Sequence, residues 1–170
     1  NGPFDSPQNL QRFNVFSKVH THLSARSTLT LDLSAFSSAW DASGQLPERA
    51  VASGLIDRWG AIDDFEGGTT GRRNLNLTFR SKGRNNSDFT AQAYFSRYDF
   101  KLFSNFTFFL EDPINGDMIE QIDDRQLFGF KSDYSFYHNV GSFLARATLG
   151  GGMRGDDTDV GLWKNTVRER

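Results

Sequence analysis

The chain has 170 residues, 19 of them basic and 21 acidic, for a formal net charge of -2. That balance excludes the strong basic field of a nucleic-acid binder. The absence of cysteine excludes disulfides and thiolate metal centres, and it suits a periplasm-facing protein as well as a cytosolic one.

The first strand is predicted over residues 13–24. Phe13, Val15, Ser17, Val19, Thr21 and Leu23 fall on one face, and Asn14, Phe16, Lys18, His20, His22 and Ser24 on the other. Ala25-Arg26-Ser27 reads as a tight turn. A second strand over 28–38 sets Leu29, Leu31, Leu33 and Ala35 against Thr28, Thr30, Asp32 and Ser34. Residues 39–72 are glycine-rich and too long for a hairpin loop, a length that marks function or disorder. Pro47 and Gly54 bound a short predicted helix over 48–56.

The third strand, 73–81, places Leu75, Leu77 and Phe79 opposite Asn74, Asn76 and Thr78. A polar turn follows over 82–87. The fourth, 88–104, has Phe89, Ala91, Ala93 and Phe95 on its apolar face and Thr90, Gln92 and Ser96 on its polar one. Beyond Arg97 the apolar positions shift to Tyr98, Phe100 and Leu102. Either a β-bulge or a strand leaving a membrane accounts for that. Pro113 and Asn115-Gly116 mark 105–124 as a loop. The fifth strand, 126–137, alternates Phe128, Phe130, Tyr134 and Phe136 with Lys131, Asp133 and Ser135. After a turn at His138-Asn139-Val140-Gly141, a sixth strand over 142–151 sets Phe143, Ala145, Ala147 and Leu149 against Ser142, Arg146 and Thr148. Gly150-Gly151-Gly152 is expected to open one more loop.

The pattern is all-β, an antiparallel meander of about six strands. Short connections follow Ser24, Lys82 and His138, and long polar ones follow Ser38, Ser104 and Gly150. A soluble sandwich has no reason to sort its connections this way. A transmembrane β-barrel does, with short turns on the periplasmic side and long loops outside. The strands have the length a tilted strand needs to cross a bilayer, about 9–11 residues. No apolar run approaches the roughly 20 residues of a membrane-spanning helix. Alternation keeps mean hydropathy low in a barrel, so the negative value of -0.53 fits. Phe is over-used, 17 against 3 Trp and 4 Tyr, and forms either a core or a lipid-facing surface. On a lipid face Lys131, Asp133 and Arg146 would each cost about 2–4 kcal/mol at mid-membrane, so they must face a wet or paired interior. The start Asn1-Gly2-Pro3-Phe4 is not a signal peptide, and the polar end at Arg170 has no closing strand. Both ends read as interior to a longer protein. The whole of 1–170 is then a partial barrel segment, with 39–72 as a long extracellular loop.

Chemistry-bearing clusters are sparse. His20 and His22 share a strand face and could offer two imidazoles to a metal, but no third ligand is evident. Solvated histidines are the favoured reading. Asp63, Asp64 and Glu66, and Asp156, Asp157 and Asp159, lack the spacing of a calcium loop and read as solvated charge. Asp123-Asp124-Arg125 reads as an internal ion pair. No Gly-x-Ser-x-Gly element, cysteine or Ser/His/Asp arrangement supports nucleophilic catalysis, so the chain is not expected to be an enzyme. No metal or cofactor is expected. Trp40, Trp59 and Trp163 fall in or beside long loops. Trp40 suits a membrane interface and Trp59 a ligand contact.

The first loop carries a resemblance. It runs Trp40-Asp41-Ala42-Ser43-Gly44-Gln45-Leu46-Pro47-Glu48-Arg49-Ala50-Val51, then Ser53-Gly54-Leu55-Ile56-Asp57-Arg58-Trp59-Gly60, then Ile62-Asp63, then Glu66-Gly67-Gly68-Thr69-Thr70-Gly71-Arg72. It is preceded by Gly2-Pro3-Phe4-Asp5-Ser6-Pro7 and Arg12-Phe13-Asn14. This stretch resembles a loop, with its approach, of TonB-dependent outer-membrane receptors of the siderophore-receptor kind. The resemblance implies a middle portion of a barrel that has about 22 strands when complete. It further implies outer-membrane location, lipid around the wall, and coupling to TonB through an N-terminal region outside this chain. The implied activity is energised uptake of a scarce nutrient, such as a ferric siderophore, captured in part by the first loop. Trp59, Arg58, Asp63 and Arg72 are the candidate ligand-binding residues. The open strand edges of such a segment invite self-association. The alternative is a soluble all-β binding module, a lipocalin-like barrel or a sandwich, with the Phe faces as its core around a small apolar ligand.

Overall fold

The computed structural model describes residues 2–6 and 8–169. Asn1, Pro7 and Arg170, used above for the chain ends and the approach to the first strand, lie outside the described residues, as does the side chain of Asn85. Six strands form one sheet: β1 (Gln11–Ser24), β2 (Ser27–Asp41), β3 (Gly67–Lys82), β4 (Asp88–Ser104), β5 (Ile119–Val140) and β6 (Phe143–Lys164). Each pairs antiparallel with its chain neighbours, in the order β1 to β6, so the expected meander is the fold. The three hairpins turn at Ala25-Arg26, at 83–87 and at Gly141-Ser142, all at one end of the sheet. The connections 42–66 and 105–118 lie at the other end. A helix, α1 (Glu48–Ala52), sits inside the first of these, shorter than the predicted 48–56.

Two expectations need correction. Gly150-Gly151-Gly152 opens no loop. These residues pair with Asp133, Ser132 and Lys131 in unbroken register, and β6 runs on to Lys164. Glycine usually weakens a strand, but it also allows close backbone approach. A Cβ at Gly152 would lie 2.8 Å from the Phe130 carbonyl oxygen, so glycine fits here for steric reasons. Asp156, Asp157 and Asp159 consequently lie on a strand, opposite Leu127, Gln126 and Asp124. Asp156 faces away from the other two, so the three cannot converge on one cation. The second correction concerns β4. Its pairing with β3 and β5 is continuous from Asp88 to Ser104, so no bulge causes the change beyond Arg97. The strand simply outruns its apolar stretch. A register irregularity does occur in β1, at Leu23.

Alternation divides the sheet into two chemistries. One hydrogen-bonded row reads Val19, Leu31, Leu77, Ala93, Phe130, Met153 across all six strands. On the opposite face, polar side chains interlock. Lys18 pairs with Asp32 at 3.3 Å, Asn76 donates to Asp32 at 3.1 Å, and Gln92 donates to Asn76. Asn74 donates to Ser34 at 2.9 Å and accepts from Ser96 at 2.7 Å. Lys131, Asp133 and Arg146 all lie on this polar face, as the sequence required, with Arg146 4.0 Å from Asp88.

The apolar face is not covered. Phe13 is 61% exposed, Val19 54%, Met153 65% and Phe143 77%. Among the described residues Ala50 and Met118 are the buried hydrophobic side chains, and both lie in the long connections. A soluble module would bury its Phe and Leu faces, each such side chain contributing about 1.5–3 kcal/mol. This sheet has no second layer among the described residues, so it has no such core.

The apolar band is also slanted. On β1 it spans Phe13 to Leu23, on β2 Leu29 to Ala35, on β4 Phe89 to Phe95, and on β6 Phe143 to Met153. Yet Phe13 lies in the row of Asp99 and Asp124, whereas Met153 lies two rows nearer the turn end than Phe95. From β1 to β6 the band steps steadily toward the turns.

Candidate functional site

The long-connection end holds most of the buried side chains, and they are largely polar. Pro47 (φ -64°) leads into α1, whose Ala50 is buried. The Ser53 hydroxyl donates to the Ala50 carbonyl at 3.1 Å and Gly54 (φ +72°) turns the chain away. The next residues form a small aromatic shelf. The Trp59 amide donates to the Asp57 carboxylate at 2.5 Å. The Arg58 guanidinium lies over the indole, 4.9 Å from its centre, and Phe4 packs edge-on at 5.9 Å. Asp5 donates its amide to the Trp59 carbonyl, and the Ser6 hydroxyl donates to Asp64 at 3.2 Å. The N-terminal segment thus braces this loop. Trp59 remains 37% exposed.

Below the shelf, Asp63 and Glu66 grip the second connection. Asn105 donates its backbone amide to Glu66 and its side-chain amide to Asp63, each at 2.9 Å. Burial, the larger cause, and the Asp63 charge push the Glu66 carboxyl up to about 6, against the Asn105 hydrogen bond that lowers it. The Arg168 guanidinium donates to the carbonyls of Phe65 and Glu66 and pairs with Asp41 at 2.7 Å. In the second connection, Asp117 accepts from the Thr107 hydroxyl at 2.6 Å and from the Glu111 and Asp112 amides. Those donors, Thr107 first, hold its carboxyl below the usual range.

Arg72 lies elsewhere, on the polar face of β3. A ladder of arginines and aromatic rings crosses the sheet there. Arg12 sits over Phe36 at 5.2 Å, Arg72 over Tyr98 at 5.0 Å, and Arg125 beside the same Tyr98 at 5.9 Å. Phe36, Arg72, Tyr98 and Arg125 are consecutive partners in one row. Arg125 is neutralised by Asp123 through two hydrogen bonds, the internal pair the sequence suggested. A hollow of about 360 Å³ opens beside the ladder, lined by Arg12, Asn14, Phe36, Thr70, Arg72 and Tyr98.

The four candidate residues therefore divide. Arg58 and Trp59 form one stacked unit. Asp63 is half-buried and engaged by Asn105 and by the Phe65 amide at 2.9 Å, contacts that tie the two connections together. Arg72 belongs to the wall. The sequence reading missed Arg12, Phe36 and Tyr98, although their shared parity on neighbouring strands was a usable signal once register was known. The His20 and His22 rings meet edge-on at 5.4 Å, and His20 bonds the Thr30 hydroxyl at 2.8 Å. Among the described residues no group of three His, Cys, Asp or Glu side chains is arranged to hold a metal ion.

No protein-family model matches the chain, and no curated protein matches it in sequence. Among solved structures, the unliganded ferric citrate transporter FecA is similar over 96% of this chain, with a TM-score of 0.73 and 12% identity. The chain has the fold of a stretch of that transporter. It spans 23% of the transporter's length. At this identity the likeness concerns backbone arrangement, and it gives the sheet a place as a β-barrel wall rather than half of a sandwich.

Proposed function

We propose that the chain is a wall and loop segment of a TonB-dependent outer-membrane receptor that actively takes up a scarce nutrient such as a ferric siderophore. The observation that carries this reading is the slanted apolar band. Barrel strands tilt by about 35–45° relative to the barrel axis, so a flat hydrocarbon slab must cut across hydrogen-bonded rows at an angle. The band does so, and its spans on β1 and β6 match the roughly 9–11 residues a tilted strand needs. Lipid covers the apolar face, the interlocked polar face lines the lumen, and the connections 42–66 and 105–118 form extracellular loops. Arg58 and Trp59 on the first loop contact the nutrient from above, Asp63 fixes the loop, and Arg72 waits in the wall. TonB engages a region of the receptor outside this chain.

The test is native mass and circular dichroism in buffer and in detergent micelles. A β-rich species that is monodisperse only in micelles is expected. A β-rich monomer in plain buffer would sink the lipid-facing assignment, because such an uncovered apolar face cannot remain solvated.

A further inference from the structure

Arg73 stands on the apolar face, where a charge is least expected. Its row reads Val15, Ala35, Arg73, Arg97, Gln126 and Asp157. In the next row toward the turns its neighbours are Leu33, Leu75, Phe95 and Phe128. On β1 the apolar band climbs past Arg73, through Val15 to Phe13. The guanidinium therefore leaves its strand beside hydrocarbon side chains, a costly place for a charge that finds neither water nor a counter-ion. Its direct cross-strand partner is a second cation, Arg97. Arg97 has a counter-ion in Asp124 at 3.3 Å, whereas among the described residues Arg73 forms no ion pair. Asp99, one row nearer the loops, leans instead over Gly71, where an added Cβ would meet its carboxylate at 2.6 Å. Neither β1 nor β3 contains an acidic residue.

The same face is hollowed between the row of Arg73 and the next one toward the turns. The hollow, of about 430 Å³, is walled by Val15, Leu33, Leu75 and Phe95, with Ala35 between them. Arg73 is the charged group of its lining. An apolar slot with one unpaired cation at its loop-side rim matches a ligand with a hydrocarbon chain and an anionic head.

We infer that this hollow is a binding site for a lipid whose headgroup carries a phosphate. An acyl chain lies in the slot against Leu33, Leu75 and Phe95, and Arg73 donates to the phosphate oxygens in a charge-assisted fork. The phosphate also screens Arg73 from Arg97. The inference rests on the apolar face being covered by lipid, and it goes further in selecting one lipid chemistry at one place on the wall.

The experiment uses the full chain in uncharged maltoside micelles, with circular dichroism recorded for each variant. Dioleoylphosphatidic acid is added, and native mass spectrometry reads the fraction of chain that keeps one lipid after the micelle is stripped. Retention is expected. Dioleoylglycerol, with the same chains and no phosphate, should be kept about tenfold less. Glycerol phosphate, with no chains, should not displace the lipid at equal concentration. Arg73→Gln should lower retention about tenfold, and Ala35→Phe, which fills the slot with an apolar ring, should lower it comparably. Arg80→Gln removes the same charge from the polar face of the same strand and should change nothing. Equal loss by Arg80→Gln, equal retention of dioleoylglycerol, or a β-rich chain that keeps no lipid would overturn the site while leaving the receptor reading intact. A chain without β structure in micelles would overturn the receptor reading and this inference with it.

Discussion

The body of the sheet and its loop end are built on opposite terms. The body hides almost nothing: its Phe, Leu and Val side chains stand exposed along every strand. The loop end hides Ala50, Glu66, Asn105, Met118, Glu120 and Asn165, mostly polar, and ties them with side-chain hydrogen bonds. The body is held by backbone pairing, and nothing among the described residues covers its apolar face. The loop end leaves Leu55, Leu110 and Ile114 exposed too, but it carries a buried polar junction of its own. Chemistry that is lethal in one region should therefore be tolerated in the other.

The largest expected effect tests the body. Leu77 lies mid-band on the apolar face, and Leu77→Arg should lower stability in lipid vesicles by about 2–4 kcal/mol. Thr78→Arg, one residue on and facing the polar side, should cost far less. Urea midpoints for the two variants measure the difference. Equal losses would mean that the faces are not solvated differently.

A smaller effect is expected at Gly129. Tyr94 lies opposite it in register, and a Cβ there would meet the phenol ring. It would also stand 2.9 Å from the Met153 carbonyl oxygen. Gly129→Val should destabilise the sheet by about 1–3 kcal/mol through this overpacking. Protease protection of the loop end should not change. If the loops loosen as well, the two regions are coupled more closely than their contacts suggest.

The smallest effect belongs to the loop end. The Glu66 carboxyl is raised to about 6 from an ordinary 4.5. A raised carboxyl makes the folded junction most stable below the ordinary value. That advantage is lost as pH rises through about 6. Exchange of the Asn105 amide, corrected for its intrinsic rate, should be slower at pH 5 than at pH 7. Glu66→Gln keeps the acceptor and should abolish the difference. A pH dependence that persists in this variant would assign it to another group.

Strand number, order and both faces were legible because alternation at period two survives in any all-β chain. Strand ends were less so. Gly150-Gly152 and Asp156-Asp159 carry loop-like composition, yet pairing with β5 holds them extended, and tertiary context overrode local preference. Of the two explanations for the shift beyond Arg97, a bulge or a strand leaving a membrane, the unbroken pairing of β4 removes the bulge. At the site, Arg58 and Trp59 were adjacent in sequence and so visible together. Arg12, Phe36 and Tyr98 join Arg72 only through register, which no single strand reveals. The grip of Glu66 on Asn105 spans two connections and left no local trace.

The slant of the apolar band has a consequence for assembly. A slip of two residues between neighbouring strands keeps every side chain on its proper face, so the inside-outside code alone cannot reject it. Height can. Slipping β5 by two residues toward the loops would lift Phe128 to the level of Arg97 and draw Val140 up with it, leaving the neighbouring spans at different depths. In the proposed membrane setting a flat slab would reject misregistered hairpins, and lipid would act there as a proofreader of strand pairing.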